Sequence, residues 1–269
     1  MSALFTNIFS GLPGWLPYVL LPLIGIFAGF VNTMAGGGSF LTLPALIFFF
    51  NLDPKIANAT NRLSVLLQTG TGAAMFHQHG FTDTKLAFKL AIPALCGSYL
   101  GSYLTQILSS DWFSLIFGTA MVCMAIVLIF KPKLLLATDR HPMHNPIGEF
   151  FTFFLIGIYG GFIQAGVGLL LLGGLTLFHP KDLAKSNAAK VTIAFLQTIP
   201  PILVFAWNDQ IVWAYGLLLA VGTVTGAVIG AKYAIKKGSK AVFFFVIVVA
   251  ILTGIKLVWS SVSMMYNTA

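Results

Sequence analysis

The sequence predicts an all-α, polytopic transmembrane bundle of two inverted repeats, each a glycine-broken helical hairpin followed by three transmembrane helices. Three observations carry that expectation: an apolar composition, long uncharged runs, and internal self-similarity. Of 269 residues, 58% are hydrophobic and 8% charged, and 25 are Phe; mean hydropathy is +0.92. A chain so composed has too little polar surface for a water-soluble globule. The runs lack the alternation of a membrane barrel, so helices, which satisfy their own backbone groups, are the structure expected in hydrocarbon.

Apolar runs between polar breaks predict ten helical segments, at roughly 16–31, 39–50, 56–76, 86–108, 112–130, 147–163, 167–178, 184–206, 211–235 and 240–262. The four that flank the glycine clusters at 36–38 and 166–168 look shorter than the roughly 20 residues of a full crossing. Each such hairpin either crosses fully or re-enters on the side it left. The N-terminal stretch lacks the basic region and cleavage site of a signal peptide and is expected to be retained.

Self-similarity supports a duplication. LIGIFAGFVNTMAGGG (23–38) aligns with LIGIYGGFIQAGVGLL (155–170) at an offset of 132, pairing Gly25 with Gly157, Gly29 with Gly161, Asn32 with Gln164 and Gly36 with Gly168. NATNRLSVLLQT (58–69) aligns with NAAKVTIAFLQT (187–198) at an offset of 129, pairing Asn58 with Asn187 and Gln68 with Gln197. Carrying that offset onward sets Gly97 and Gly101 on Gly226 and Gly230. The repeats are read as 1–130 and 147–269, joined by a linker at 131–146.

Basic residues set the orientation. One side collects Lys85, Lys89, Lys131, Lys133, Arg140, Lys181, Lys185, Lys232, Lys236, Lys237 and Lys240; the other has Lys55 with Asp53, Asp111 and Asp209. The positive-inside rule makes the first side cytoplasmic, with both termini outside and the linker inside. Whichever way the hairpins fold, each half crosses an odd number of times, so the second half is inverted. Loop lysines and arginines also account for the net charge of +8, and their spacing does not suit a nucleic-acid surface.

Inverted repeats with glycine-broken helices are an arrangement that builds transporter binding sites near the membrane midplane. Gly36, Gly37, Gly38 and Ser39 in the first half, and Gln164, Gly166 and Gly168 in the second, are the expected site backbone, with Asn32 just before the first break. There the chain turns sharply, and the N-terminal end of the next helix attracts an anion. The third segment of each half adds a polar stripe. Asn58, Asn61, Arg62, Gln68 and Thr69 share one broad face, as do Ser186, Asn187, Lys190, Gln197 and Thr198. A cation in hydrocarbon needs a partner, and no carboxylate lies within a turn of Arg62, which leaves a ligand or backbone carbonyls, or snorkelling to the interface for both Arg62 and Lys190. The expected ligand set is therefore Asn32, the two glycine breaks, Asn58, Asn61, Arg62, Asn187 and Lys190.

Other chemistry is disfavoured. No P-loop is present. The acids and the five histidines, His77, His79, His141, His144 and His179, fall in loops or at segment ends. Ser39 has no histidine placed to activate it as a protease nucleophile. Cys96 and Cys123 read as buried small hydrophobes, and neither a metal site nor a cofactor is expected. Gly97-x-x-x-Gly101 and Gly226-x-x-x-Gly230 read as close helix contacts.

The strings AGF-x-N-x-x-AGGGSFLTLPAL and ANATNR, then GGFIQAGVG and SNAAK, resemble the TauE/SafE-type sulfite exporter family, within the toluene-sulfonate uptake permease superfamily, over about residues 18–262. The resemblance implies a membrane transporter, not an enzyme, carrying sulfite, a sulfonate or another small organosulfur anion across the cytoplasmic (inner) membrane. Its partners would be that small anion and the lipid bilayer, with homo-oligomerisation left open. Export of another small metabolite, or a non-transporting receptor or scaffold, is the alternative.

Overall fold

The structure is a computed structural model that describes residues 13–34, 36–130, 142–180 and 183–236, with 255, 258 and 259. Most of the expected tenth segment at 240–262, most of the linker, and Lys131, Lys133, Arg140, His141, Lys181, Asp182, Lys237 and Lys240 lie outside the described residues. The elements of the described chain are α-helices: α1 (Leu16–Met34), α2 (Ser39–Phe50), α3 (Pro54–Gln78), α4 (Thr84–Ile107), α5 (Ser110–Phe130), α6 (Pro146–Phe162), α7 (Val167–Phe178), α8 (Leu183–Trp207) and α9 (Trp213–Lys236).

Helix starts follow local chemistry. Asp53, Asp83 and Asn145 cap α3, α4 and α6 by accepting the backbone N–H groups of Lys55, Leu86 and Gly148, and Pro54 and Pro146 open the first turns where no N–H is needed. The short helices α2 and α7 instead begin at Gly38 and Gly166, with no side-chain cap. Among the described residues, Leu16–Met34, Ala184–Trp207 and Trp213–Ala234 are long and apolar enough to cross a membrane. The helix before the first break is thus longer than expected, at 19 residues, whereas α2 and α7 are short, at 12 residues each.

The helices interleave across the two halves. α1 packs on α9, and α6 on α4; α3 lies against α9, and α8 against α4; α3 and α8 cross each other at the centre. Exchanging the halves maps this pairing onto itself. Glycine makes the two tightest interfaces. A Cβ on Gly97, Gly101, Gly157 or Gly161 would strike the carbonyl oxygens of Phe154, Ile158, Ala94 and Ser98, respectively. In the other interface Gly222, Gly226, Gly25 and Gly29 meet those of Pro22, Ile26, Leu219 and Thr223. These contacts correspond one to one when Gly97 and Gly101 are matched to Gly222 and Gly226, an offset of 125. The expected match to Gly226 and Gly230 is therefore wrong by one helical turn. Glycines at 222, 226 and 230 repeat every four residues, so sequence similarity could not choose between registers that the backbone contacts distinguish.

Cys96 and Cys123 are exposed, not buried. Cys96 shares an outward face with Ile92, Tyr99 and Tyr103, all more than half exposed. Where the surroundings are apolar inside and out, hydrophobicity does not reveal which face of a helix points inward.

The interface glycines generate a stability prediction. Gly29→Ala or Gly161→Ala should each cost about 1–3 kcal/mol, because a backbone carbonyl cannot step aside as a flexible side chain can. Gly14→Ala, which meets nothing within 4 Å, should be neutral. Thermal unfolding in detergent, followed by the loss of monodisperse protein, checks both.

Candidate functional site

The two breaks meet in the middle of the molecule. α1 ends at Met34, and Gly36 turns the chain with φ +96, its N–H returning to the Val31 carbonyl at 3.2 Å. A side chain there would be strained by that φ and would collide with the Cα of Gly168 at 2.6 Å. Gly36 and Gly168 are partners in the repeat alignment, so the equivalent points of the two halves touch. The second break turns at Gln164, φ 59, and Gly166, φ 77. Gln164 is thus a non-glycine residue held in the left-handed region. Gly37 and Gly38 are buried, and Gly38 lies against the carbonyl of Ala28.

A helix that stops inside the bundle strands its last carbonyls, and a cation from the opposite half takes them up at each break. Arg62 on α3 donates from Nη1 to the Gly160 carbonyl at 2.9 Å and to Gln164 Oε1 at 2.9 Å, and from Nη2 to the Gly161 carbonyl at 2.6 Å. Its guanidinium lies 5.0 Å from the centre of the Phe205 ring on α8. Lys190 on α8 donates to the carbonyls of Asn32 at 3.0 Å and Thr33 at 2.8 Å, and to Asn187 Oδ1 at 2.8 Å. Arg62 is 0% and Lys190 1% exposed, so neither snorkels. Both sit where the negative end of a helix dipole favours positive charge.

The asparagines brace this arrangement. Asn61 donates to Ser39 Oγ at 3.2 Å and accepts from Thr42 Oγ1 at 2.7 Å, which fixes the first turn of α2 on α3. Asn58 donates to the carbonyl of Phe162, the last residue of α6, at 3.0 Å. Asn32 donates to Gln68 Oε1 at 3.1 Å.

Between α3, α8 and the breaks is a small cavity, with room for about one water molecule, lined in its polar part by Asn32, Ser39, Thr69, Gln164, Gly168 and Lys190. Val65, Val167, Val191 and Ala194 complete the lining. Of the expected site residues, Asn32, Ser39, Gln164, Gly168 and Lys190 border the cavity. Asn58, Asn61 and Arg62 hold the breaks from behind, Asn187 accepts from Lys190 on the same helix, and Gly36, Gly37, Gly38 and Gly166 form the turns; Gly166 packs against Phe40 and Met124. The sequence reading placed Thr69 on the stripe but not in the site. It missed Thr42, Phe205 and the Gly160 and Gly161 carbonyls, although a helix ending in hydrocarbon signals that its final carbonyls need donors.

Several buried nitrogen donors have no protein acceptor: Gln68 Nε2, Asn187 Nδ2, Gln197 Nε2 and Arg62 Nε. The oxygens Thr33 Oγ1, Asn58 Oδ1, Thr82 Oγ1 and Gln197 Oε1 are also unpartnered. Asn187 and Gln68 have their amide oxygens occupied by Lys190 and Asn32, so their free ends are N–H groups. The lining contains no carboxylate.

These contacts predict that Arg62→Met lowers stability by about 1–3 kcal/mol, chiefly by leaving the Gly161 carbonyl bare, since the Gly160 carbonyl also accepts from the Gln164 N–H. Arg62→Lys should recover part of the loss, because an ammonium lacks the planar fork that reaches Gly160, Gly161 and Gln164 together. Thermal midpoints of the three proteins in one detergent provide the comparison.

The chain matches the sulfite exporter TauE/SafE family over residues 21–257. It is 27% identical to a probable membrane transporter protein of a Sinorhizobium species over 86% of this chain and 88% of that one. It is 25% identical to the probable membrane transporter YfcA of Escherichia coli, with 88% of each chain covered. It is also 25% identical to the probable membrane transporter YunE of Bacillus subtilis, over 91% of this chain and 98% of the other. No solved structure matches. A helical membrane chain with paired glycine breaks, matched over most of its length, belongs to the TauE/SafE sulfite exporter family of membrane transporters.

Proposed function

We propose that this transporter is a secondary carrier for a small sulfur-containing anion, sulfite or a sulfonate, working by alternating access in the cytoplasmic membrane. The observation that carries the reading is the small cavity where Lys190 and the starts of α2 and α7, which lack side-chain caps, converge with no acid in the lining. Helix N-termini and a buried cation favour an anion. The unpartnered amide donors of Gln68 and Asn187 lie beside this set, and donors in a dry site suit oxygen-rich ligands. A cavity with room for about one water is closed to a larger ion, so passage requires rearrangement, as a carrier does and an open channel does not.

In this reading the repeats are inverted and rock about the touching breaks. Both termini face outward and the 131–146 linker faces the cytoplasm. Lys190 contacts the anion, and Arg62 maintains the opposing half-site through Gln164. Naming sulfur oxyanions, as opposed to other small anions, rests on the family.

Reconstituted protein should move radiolabelled sulfite or a small alkylsulfonate across liposomes faster than protein-free vesicles. Lys190→Gln should cut that flux about ten- to hundredfold, the worth of a hydrogen bond to a charged group. Flux equal to that of empty liposomes for every sulfur oxyanion would reject the substrate class. Undiminished flux in Lys190→Gln would remove Lys190 from the binding site.

A further inference from the structure

Among the described residues, Glu149 is the only acidic side chain that is buried, at 8% exposed. It lies in the first turn of α6, away from the cavity, and its Oε1 faces Lys89 Nζ at 2.9 Å and His179 Nε2 at 3.3 Å. Lys89 belongs to α4, and His179 is the residue that ends α7, its N–H donating to the Leu175 carbonyl at 2.8 Å. One carboxylate oxygen thus joins the starts of α4 and α6 to the end of α7. A backbone bond from the Met143 N–H to the Leu177 carbonyl, 3.1 Å, ties the same helix end to the segment before α6.

α7 runs from the cavity to this cluster. Its first residues, Val167 and Gly168, line the cavity, and 12 residues span about 18 Å. Contacts at its far end restrain how a rigid helix can shift or tilt relative to the site. The first half has no counterpart. At the repeat offset of 132, Glu149 falls on Pro17 and His179 on Ile47; in the register set by the glycine interfaces, Lys89 falls on Ala214. Near the far end of α2, Asp53 instead caps α3, and Lys55 Nζ donates to the Leu108 carbonyl at 2.8 Å. The Glu149 tether therefore acts on one of the two short helices alone.

We propose that Glu149, Lys89 and His179 form an ionic latch that holds α7 in place and keeps the cavity shut toward the face bearing residues 142–149, so that releasing the latch is the step that opens the carrier on that face. The proposal rests on the alternating-access reading above. It concerns a gate remote from the anion, and its test needs no substrate.

The experiment places a reporter thiol in the cavity with Ala194→Cys, in a chain carrying Cys96→Ser and Cys123→Ser. Labelling by a membrane-impermeant methanethiosulfonate is timed in right-side-out and inside-out vesicles. Glu149→Gln should raise the labelling rate about fivefold from the face of residues 142–149, in keeping with a partly screened ion pair, and leave the opposite face unchanged. His179→Gln, which alters the α7 side of the contact at a partly exposed position, should do the same if Glu149→Gln does not fold. Lys85→Gln removes a charge from the same end of α4 without touching Glu149 and should have no effect. An unchanged rate in the latch variants, an equal rise from both faces, or the same rise with Lys85→Gln overturns the latch. Absence of flux for every sulfur oxyanion, with one-sided labelling intact, would instead count against the proposed substrate class alone.

Discussion

Two helices stop in the interior of this bundle, and apolar surroundings supply no water to accept what they leave bare. The carbonyls at the ends of α1 and α6 are taken by Lys190 and Arg62, each reaching from the third helix of the opposite half. Each half thus completes the broken helix of the other. The crossing of α3 over α8, the pairing of α1 with α9 and α4 with α6, and the contact of Gly36 with Gly168 all follow from bringing those groups together. Lacking a buried acid beside them, both cations depend on helix dipoles and carbonyls for compensation.

That solution leaves the other side of each break open. Once the C-terminal ends of α1 and α6 are capped, the N-terminal ends of α2 and α7 still direct positive partial charge inward from uncapped glycines. Helices α3, α4 and α6 of the same chain carry Asp or Asn in that position. The contrast gives the cavity its electropositive character and is the physical basis for reading it as an anion site. What compensates the cations is the fold itself, so in the proposed reading an anion would add a counter-charge instead of replacing one.

The two half-sites are related but unequal. Arg62 holds three acceptors and sits behind the cavity, whereas Lys190 borders it. Asn32 stays helical while its partner Gln164 is left-handed and bound to Arg62. The Glu149 cluster adds a further asymmetry, tethering α7 but not α2. The chain thereby keeps a symmetric framework of helix pairings while the surroundings of its two breaks differ.

Much of this was legible in the sequence. Composition required a helical membrane chain, and the short helices at 39–50 and 167–178 were bounded correctly because glycine clusters and polar breaks mark them on both sides. The similarity of the halves placed Asn32, Gly36, Gln164, Gly168 and Lys190 in one region before any geometry was known. Three features needed tertiary structure. Only backbone contacts could select the register of three glycines spaced by four, because each choice presents the same residues to a neighbour. The orientation of Cys96 and Cys123 escaped the hydrophobic pattern, since lipid and protein interior are equally apolar. The partners of Arg62 are carbonyls about a hundred residues away, and a carbonyl carries no mark in sequence. Local chemistry determined where helices begin and break; which stranded groups meet across the breaks was decided by packing, because only there do two distant chain segments become neighbours.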